Sequence, residues 1–206
     1  MLYLIYCYLM NHISPEKICW FCHSIDHSCK ECPIESGIAN KLRYKAGNEF
    51  EDYIANNIRC PGCLSLSLKR LNNNSPSLDI ICECGLNFEV KSKCLSIKEL
   101  PNDIQLNHGS YIDCINRVNK ESLNLILIIY GINRIQKELY IREILYANNK
   151  MMKNTKIIAI KPIILSNKIV SKIFINNRNF MVKMNMTNIK HTISFKQEVD
   201  NYVSQL

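Results

Sequence analysis

The chain has 206 residues, of which 47% are hydrophobic, and a formal net charge of +8 at pH 7. This length allows one sizeable domain with a hydrophobic core plus a small appendage, and the composition excludes a disordered or low-complexity chain. A basic chain favours an anionic partner, most commonly nucleic acid, although an AT-rich genome that overuses Lys, Asn and Ile codons produces the same bias.

The first ten residues, MLYLIYCYLM, are apolar. They cover only about half the length that spans a bilayer, and no basic region or small-residue cleavage site marks them as a signal peptide. We therefore expect a buried strand or helix here, or translation that begins at Met10. We also expect an intracellular protein, in cytoplasm or nucleus, that is not secreted and has no membrane partner.

Cysteine spacing predicts structural zinc. Most of the 11 cysteines are closely paired. Paired knuckles supply the four thiolates of a tetrahedral zinc site, and no secretory signal indicates an oxidising compartment. Two sets result: Cys19, Cys22, Cys29 and Cys32 in a small N-terminal zinc module, and Cys60, Cys63, Cys82 and Cys84 further along the chain.

Alternatives stay open for both sets, since disulfides or free core thiols are compatible with the same cysteines. In the first set the spacer between the pairs is short for a zinc ribbon, and His23 or His27 could replace one cysteine. In the second set Cys94 could replace Cys84 if the tight Cys-x-Cys geometry fails.

Residues 41–58 have apolar side chains at helical spacing and predict an amphipathic helix that ends at the loop of Cys60 and Pro61. Glu51 lies on the edge of the apolar face of this helix. From there it could reach a metal site, whereas a solvated helix charge is the alternative.

Residues 78–81 and 87–92 are short apolar runs on either side of a Cys-Glu-Cys-Gly turn, which predicts a β-hairpin. A turn centred on Cys84 places Asp79 directly across from Glu89, and like charges so close are destabilising unless a cation neutralises them. Because side chains alternate along a strand, Lys91 shares the face of Glu89, while Phe88 and Val90 point into a core.

Two carboxylates and a lysine on one surface are suited to metal-dependent phosphodiester hydrolysis. Asp79 and Glu89 would hold Mg²⁺, which polarises the scissile phosphate and stabilises the departing oxyanion. Lys91 would orient the attacking water, help to deprotonate it and stabilise the transition state. The alternative is an ordinary amphipathic hairpin with a charged exposed face. Structural zinc at Cys82 and Cys84 would pin the hairpin tip and fix the register that brings the acids together.

These residues resemble a known family. Cys60-Pro-Gly-Cys63, an Asn-rich loop, Pro76, Asp79, the paired-cysteine turn and Phe88-Glu89-Val90-Lys91-Ser92-Lys93 follow the order of the DpnI-type, or Dam-replacing, restriction endonucleases of the PD-(D/E)XK superfamily. The similarity continues through Asn107-x-Gly109-Ser110-Tyr111 and Arg117-Val118 and covers roughly residues 41–165. It implies catalytic Asp79, Glu89 and Lys91, Glu51 as an auxiliary residue, and an embedded zinc knuckle.

The sequence departs from the family pattern in three ways. The second cysteine pair is Cys-x-Cys rather than Cys-x-x-Cys, and the cysteines of residues 19–32 have no counterpart. Only about 20 residues follow the last predicted strand, too few for the winged helix of relatives that read methylated adenine. Sensitivity to adenine methylation is therefore an open expectation.

Residues 103–120 predict a loop that enters a helix, and the resemblance implies that this helix flanks the cleft and that Arg117 contacts phosphate. A solvated helix cation is the alternative for Arg117. Lys93 and Lys120 are further candidate DNA contacts. Residues 123–130 predict a central strand buried on both faces, with a turn at 131–133, and residues 169–175 and 180–184 predict a second hairpin.

The sequence thus predicts an α/β fold with a restriction-endonuclease-like PD-(D/E)XK core, in which helices flank a mixed β-sheet. The predicted division is a zinc module over residues 1–40 and a nuclease domain over 41–206, with a zinc-clamped hairpin (60–93) and a β-rich C-terminal portion (150–206). The predicted function is a Mg²⁺-dependent endonuclease on double-stranded DNA that forms a homodimer on its substrate. The alternatives are a non-catalytic zinc-containing DNA-binding protein and a repair or recombination nuclease.

Overall fold

A computed structural model describes residues 31–71, 78–95, 100–109, 111–120, 122–154, 158–165, 167–186 and 191–205. The chain divides into two compact units. The first contains the described parts of Met1–Ala46, Ile132–Leu139 and Thr192–Leu206, and the second those of Gly47–Gly131 and Tyr140–His191. No described helix is long and apolar enough to cross a membrane.

The helices are α1 (Pro33–Asn57), α2 (Tyr111–Asn119), α3 (Asn149–Met152) and α4 (Lys196–Val203). The strands are β1 (Leu68–Arg70), β2 (Ile80–Cys82), β3 (Asn87–Cys94), β4 (Ile104–His108), β5 (Asn124–Asn133), β6 (Glu138–Ala147), β7 (Ile158–Leu165), β8 (Lys168–Ile175), β9 (Val182–Lys183) and β10 (Thr192–Ser194).

Helix α1 confirms the predicted amphipathic helix and begins earlier, at Pro33, a residue that suits the first turn because its missing N–H needs no partner there. The buried Cys32 precedes it: its carbonyl accepts from Ser36 N at 3.0 Å and its Sγ from Glu35 N at 3.5 Å. The helix therefore runs through the predicted domain division after residue 40. All the predicted core positions are buried: Leu42, Ala46, Phe50, Tyr53, Ile54 and Ile58.

The larger sheet has the strand order β1-β2-β3-β5-β6-β10, and β9 pairs with β6. Strand β2 pairs antiparallel with β3, whereas β3 pairs parallel with β5, so the sheet is mixed as predicted. Strand β5 is the predicted central strand, with Leu125 through Ile129 fully withdrawn from solvent. The turn predicted at 131–133 is wrong: β5 continues through Asn133, and the turn occupies residues 134–137.

A second sheet has the order β4-β8-β7. The predicted pairing of residues 169–175 with 180–184 is wrong, because β8 pairs with β7 and β4 instead. Arg178 explains the difference. Its backbone N donates to Asn102 O at 2.8 Å and its guanidinium to Glu143 at 2.6 Å, which anchors the intervening turn and leads β9 to β6.

One core in the second unit joins this sheet to the larger one. Side chains of α2, β4, β5 and β8 contribute to it, among them Leu106, Cys114, Leu127 and Ile173. This packing places α2 against β7 and β8, and its buried side chains Cys114 and Val118 share one core with β5.

Ion pairs and a close aromatic contact hold the segments of the first unit together. Arg134 makes two hydrogen bonds to the Glu35 carboxylate, at 2.9 and 2.7 Å, and Lys45 pairs with Glu198 at 2.8 Å. The Tyr202 ring packs against Gly37, where a Cβ atom would overlap it.

Candidate active site

The hairpin of β2 and β3 has the predicted register. Ile80 pairs with Phe88 and Ile81 with Asn87, and just beyond this ladder Asp79 N donates to Phe88 O at 3.1 Å. The Asp79 carboxylate accepts a hydrogen bond from Val90 N at 2.7 Å, so it lies beside β3 next to Glu89. Phe88 and Val90 are buried, as expected from the alternation of side chains.

Glu89 is only 5% exposed, because its strand is central in the sheet. Each of its carboxylate oxygens has a cationic partner: Lys91 Nζ donates to Oε1, and Arg117 Nη1 donates to Oε2 at 2.5 Å. Burial alone would raise the pKa of Glu89, but these two cations hold the pKa below its ordinary value. Glu89 is therefore ionised at neutral pH.

Asp79 has the opposite electrostatic environment. Burial raises the pKa of Asp79 above its ordinary value, and the neighbouring negative charge of Glu89 raises it further. The Val90 N–H, Lys91 and Arg117 oppose this shift only in part. A divalent cation beside the two acids would remove the repulsion that the fold leaves uncompensated.

Glu51 on α1 faces the same group of charges. Burial and then the nearby Asp79 raise the pKa of Glu51, while Arg70 and Lys91 lower it. Arg70 donates to Glu51 at 3.0 Å and to Asn48 at 2.6 Å. Glu51, Asp79 and Glu89 thus form one acidic cluster, in which Glu51 is half-buried. The alternative of a solvated helix charge is wrong for Glu51.

The cysteines of the second set form one cluster. The Sγ atoms of Cys60, Cys63, Cys82 and Cys84 all lie within 4.8 Å of one another. Cys60 and Cys84 are 3.7 Å apart, and Cys63 and Cys82 are 3.5 Å apart. Four thiolates bound to one zinc at about 2.3 Å lie roughly 3.8 Å from each other, so this cluster can hold a metal such as zinc.

Local backbone geometry builds this cluster at the hairpin tip. Gly85 has φ of 88°, a left-handed conformation that closes the turn, and Gly85 N donates to Cys82 O at 2.9 Å. On the other loop Leu64 N donates to Cys60 O at 2.9 Å. The short Cys-x-Cys pair therefore fits the cluster with Cys84, while Cys94 lies at the far end of β3.

The first cysteine set falls largely outside the described residues. Cys19, Cys22 and Cys29 are not among them, and Cys32 is buried at the start of α1. The N-terminal zinc module stays a prediction.

The family model of the Dam-replacing family, DpnI, matches residues 40–196, which include the acidic cluster and the cysteine cluster. The chain belongs to the Dam-replacing family. Membership implies a restriction-type nuclease with DNA as its substrate. Among curated proteins, no significant match to the chain is found.

The candidate DNA contacts of this Dam-replacing family member lie in different settings. Arg117 is 8% exposed and bonded to Glu89, so the alternative of a solvated helix cation is wrong. Its Nη2 atom is buried with no partner among the described residues. Lys93 is half-buried on β3, and Lys120 is exposed just after α2. Contact of these three residues with DNA stays a prediction.

Sequence reasoning missed two residues of the site, Arg70 and His108. His108 ends β4 and is 7% exposed, and neither ring nitrogen has a hydrogen-bond partner in the described part of the chain. Burial lowers the pKa of His108, with Glu89, Lys91 and Arg117 among the charges that act on it. The alternating Leu and Ser residues at 64–68 are a strand signal that could have located Arg70; no comparable pattern indicates His108.

Proposed function

We propose that this protein is a Mg²⁺-dependent endonuclease that hydrolyses phosphodiester bonds of double-stranded DNA on a PD-(D/E)XK core. The observation that carries the proposal is the hairpin that places the Asp79 carboxylate on Val90 N, next to Glu89, with Lys91 bonded to that glutamate. An ordinary charged hairpin would keep these side chains in solvent, whereas here Glu89 is buried and Asp79 is half-buried.

The donor set fits magnesium. Asp79 and Glu89 would supply hard carboxylate oxygens, with Glu51 as an auxiliary acid, and their mutual repulsion favours a cation between them. When bound, the ion would polarise the scissile phosphate and stabilise the departing oxyanion. Each carboxylate oxygen keeps a further lone pair, so the hydrogen bonds of Glu89 to Lys91 and Arg117 are compatible with metal binding.

The residues around the metal position have separable roles. Lys91 would orient the attacking water and add positive charge near the phosphorus centre, where negative charge develops in the transition state. Arg117 holds Glu89 in place through its charge-assisted hydrogen bond. Arg70 positions Glu51.

The proposal also includes zinc at Cys60, Cys63, Cys82 and Cys84, where it would connect the hairpin tip to the loop after α1. It retains a zinc module within residues 1–40 and a nuclease domain over 41–206. Cleavage of both strands needs two active sites or one that acts twice, so we expect a transient homodimer on DNA. Equal rates of nicking and double-strand cleavage at limiting enzyme would support that dimer.

Plasmid cleavage tests the proposal. The wild-type chain should cut plasmid DNA when Mg²⁺ is added, and Asp79→Ala and Lys91→Ala should each lower the rate by at least about 100-fold. Asp103→Ala and Lys41→Ala, at exposed positions, are the matched controls and should retain activity. Adenine-methylated and unmethylated plasmids used in parallel determine the methyl preference. Cleavage that survives both active-site substitutions would refute the mechanism.

A further inference from the structure

Positive charge is concentrated in one segment of the chain. Between Glu143 and Glu198 the sequence has ten lysines and arginines and no aspartate or glutamate. Because the whole chain carries a net charge of only +8, the remainder has a small acidic excess. Strands β7 and β8 lie within this segment and pair along their full length as a hairpin.

The register assigns the cations of this hairpin to one face. Lys161 pairs with Lys172 and Leu165 with Lys168, and positions two residues apart share a face, so all three lysines lie on the same side. No ion pair engages them within the described part of the chain. The Lys161 ammonium lies 5.3 Å from the Phe174 ring centroid, which orients it without neutralising it.

The tip of the hairpin is apolar and exposed. Ile164 is 74% exposed, Leu165 51% and Ile169 63%. On the face opposite the lysines, Ser171 and Ile173 are buried further down the hairpin. The core therefore ends before the tip begins. Leu165 thus projects into solvent on the lysine face of the tip, and Ile164 and Ile169 project from its other face.

A protein partner fits this composition poorly. Lysine is depleted in protein–protein interfaces. Strand β7 is the edge strand of its sheet within the described residues, and Pro162 and Lys161 on it discourage strand addition by a second copy. Lysines that line an apolar tip are instead suited to nucleic acid, where cations contact phosphates and an apolar wedge enters the minor groove between base pairs.

We propose that the outer part of the β7–β8 hairpin binds duplex DNA, with Lys161, Lys168 and Lys172 on phosphates and Ile164, Leu165 and Ile169 as a wedge in the minor groove. The inference rests on the proposed nuclease function and identifies where that function holds its substrate. It also predicts that the bound duplex is bent, because a wedge between base pairs bends DNA.

The hairpin is connected to the candidate active site. Strand β4 pairs with β8 from Ile104–Ile175 to His108–Ser171 and then ends, so the Lys161–Lys172 pair lies level with the last residues of β4 and Lys168 lies beyond them. Three residues of strand from Ser171 to Lys168 span about 10 Å. The tip therefore lies about three residues of strand beyond His108, a residue on which the charges of Glu89, Lys91 and Arg117 act.

Binding without cleavage tests the proposal. The affinity of the wild-type chain for a 20-base-pair duplex would be measured in zinc-containing, magnesium-free buffer at several salt concentrations. Lys161→Gln combined with Lys168→Gln should weaken binding and lower the slope of log K against log salt by about 2. Ile164→Ser combined with Ile169→Ser should preserve that slope but abolish duplex bending, followed by energy transfer between dyes on the duplex ends.

Lys41→Gln and Ile135→Ser, at exposed positions of the first unit, are the matched controls and should leave affinity, slope and bending unchanged. Hairpin variants that bind and bend DNA like these controls would overturn the inference. A wild-type dimer that becomes monomeric in the Ile164→Ser, Ile169→Ser variant, with unchanged DNA affinity, would also overturn it. Mg²⁺-dependent cleavage that persists in Asp79→Ala would refute only the proposed catalytic function. The two failures are therefore distinguishable.

Discussion

Arg117 Nη1 lies 2.5 Å from Glu89 Oε2, and both side chains are almost fully withdrawn from solvent. Because Lys91 donates to the other oxygen of the same carboxylate, Glu89 is held from two directions. Helix α2 and strand β3 are thereby coupled through a charged pair at the centre of the candidate site. The position of the helix determines where the glutamate points.

Loss of the ion pair between Arg117 and Glu89 should lower the free energy of unfolding. Arg117→Ala leaves Glu89 with one cation instead of two in a buried setting, and breaking such a pair typically costs about 3–5 kcal/mol. Urea denaturation should show a loss of this order in the free energy of unfolding. Combining Arg117→Met with Glu89→Gln removes both charges and should recover much of it. An Arg117→Ala variant as stable as the wild type would contradict this account.

Asp79 should make metal-free protein less stable at neutral pH. Its pKa is raised in the folded state, so its stabilising contribution is present below the ordinary value of 3.8 and declines as pH rises through the raised pKa. Asp79→Asn should therefore be more stable than the wild type near pH 7, since the amide oxygen can still accept from Val90 N.

Urea midpoints followed from pH ~4 to ~7.5, with and without Mg²⁺, test this prediction. Mg²⁺ should raise the midpoint of the wild type and have a smaller effect on Asp79→Asn, because a ligand that binds only the folded state stabilises it. The exposed Asp103→Asn is the control. An equal Mg²⁺ effect on all three proteins would mean that Asp79 does not contribute to metal binding.

His108 should destabilise the fold on acidification. Burial lowers its pKa below 6.5, so the folded state favours the neutral ring, and stability is lost as pH falls through this range. His108→Leu removes two unpartnered nitrogens and should be as stable as the wild type at pH 7 and more stable at pH ~5. The ring signals of His108 in an NMR titration should stay neutral to lower pH than those of a solvated histidine. A His108 that titrates near 6.5 would contradict the burial argument.

Local patterns were sufficient for the elements that depend on neighbours in sequence. The apolar spacing of residues 42–58 gave the buried face of α1, and the position of Cys84 in its turn gave the register of β2 against β3. Both features follow from short-range geometry, namely the helical repeat and the alternation of a strand pair.

Contacts between distant segments escaped prediction. Arg117 reaches Glu89 across 28 residues, and Arg178 fixes the path to β9 through Glu143, 35 residues away. The sequence of an apolar strand such as β8 does not specify its partner strand, so residues 169–175 suit several pairings equally well. Tertiary packing selected β4 and β7, and this choice positioned His108.

Removal of the cysteine cluster should unfold the hairpin and abolish cleavage. Zinc-bound thiolates contribute folding energy directly, because the unfolded chain has no preformed site. Cys63→Ser should lower the zinc content by one ion per chain, decrease thermal stability and remove activity, since Asp79 and Glu89 lie on the strands that the cluster joins. Cys94→Ser, outside the cluster, is the matched control and should retain zinc and activity.

Elemental analysis gives the zinc content, and circular dichroism gives the unfolding temperature. A wild-type value of two zinc ions per chain would support the N-terminal set as well. Full activity in a Cys63→Ser protein that has lost its zinc would refute the structural role assigned to the cluster.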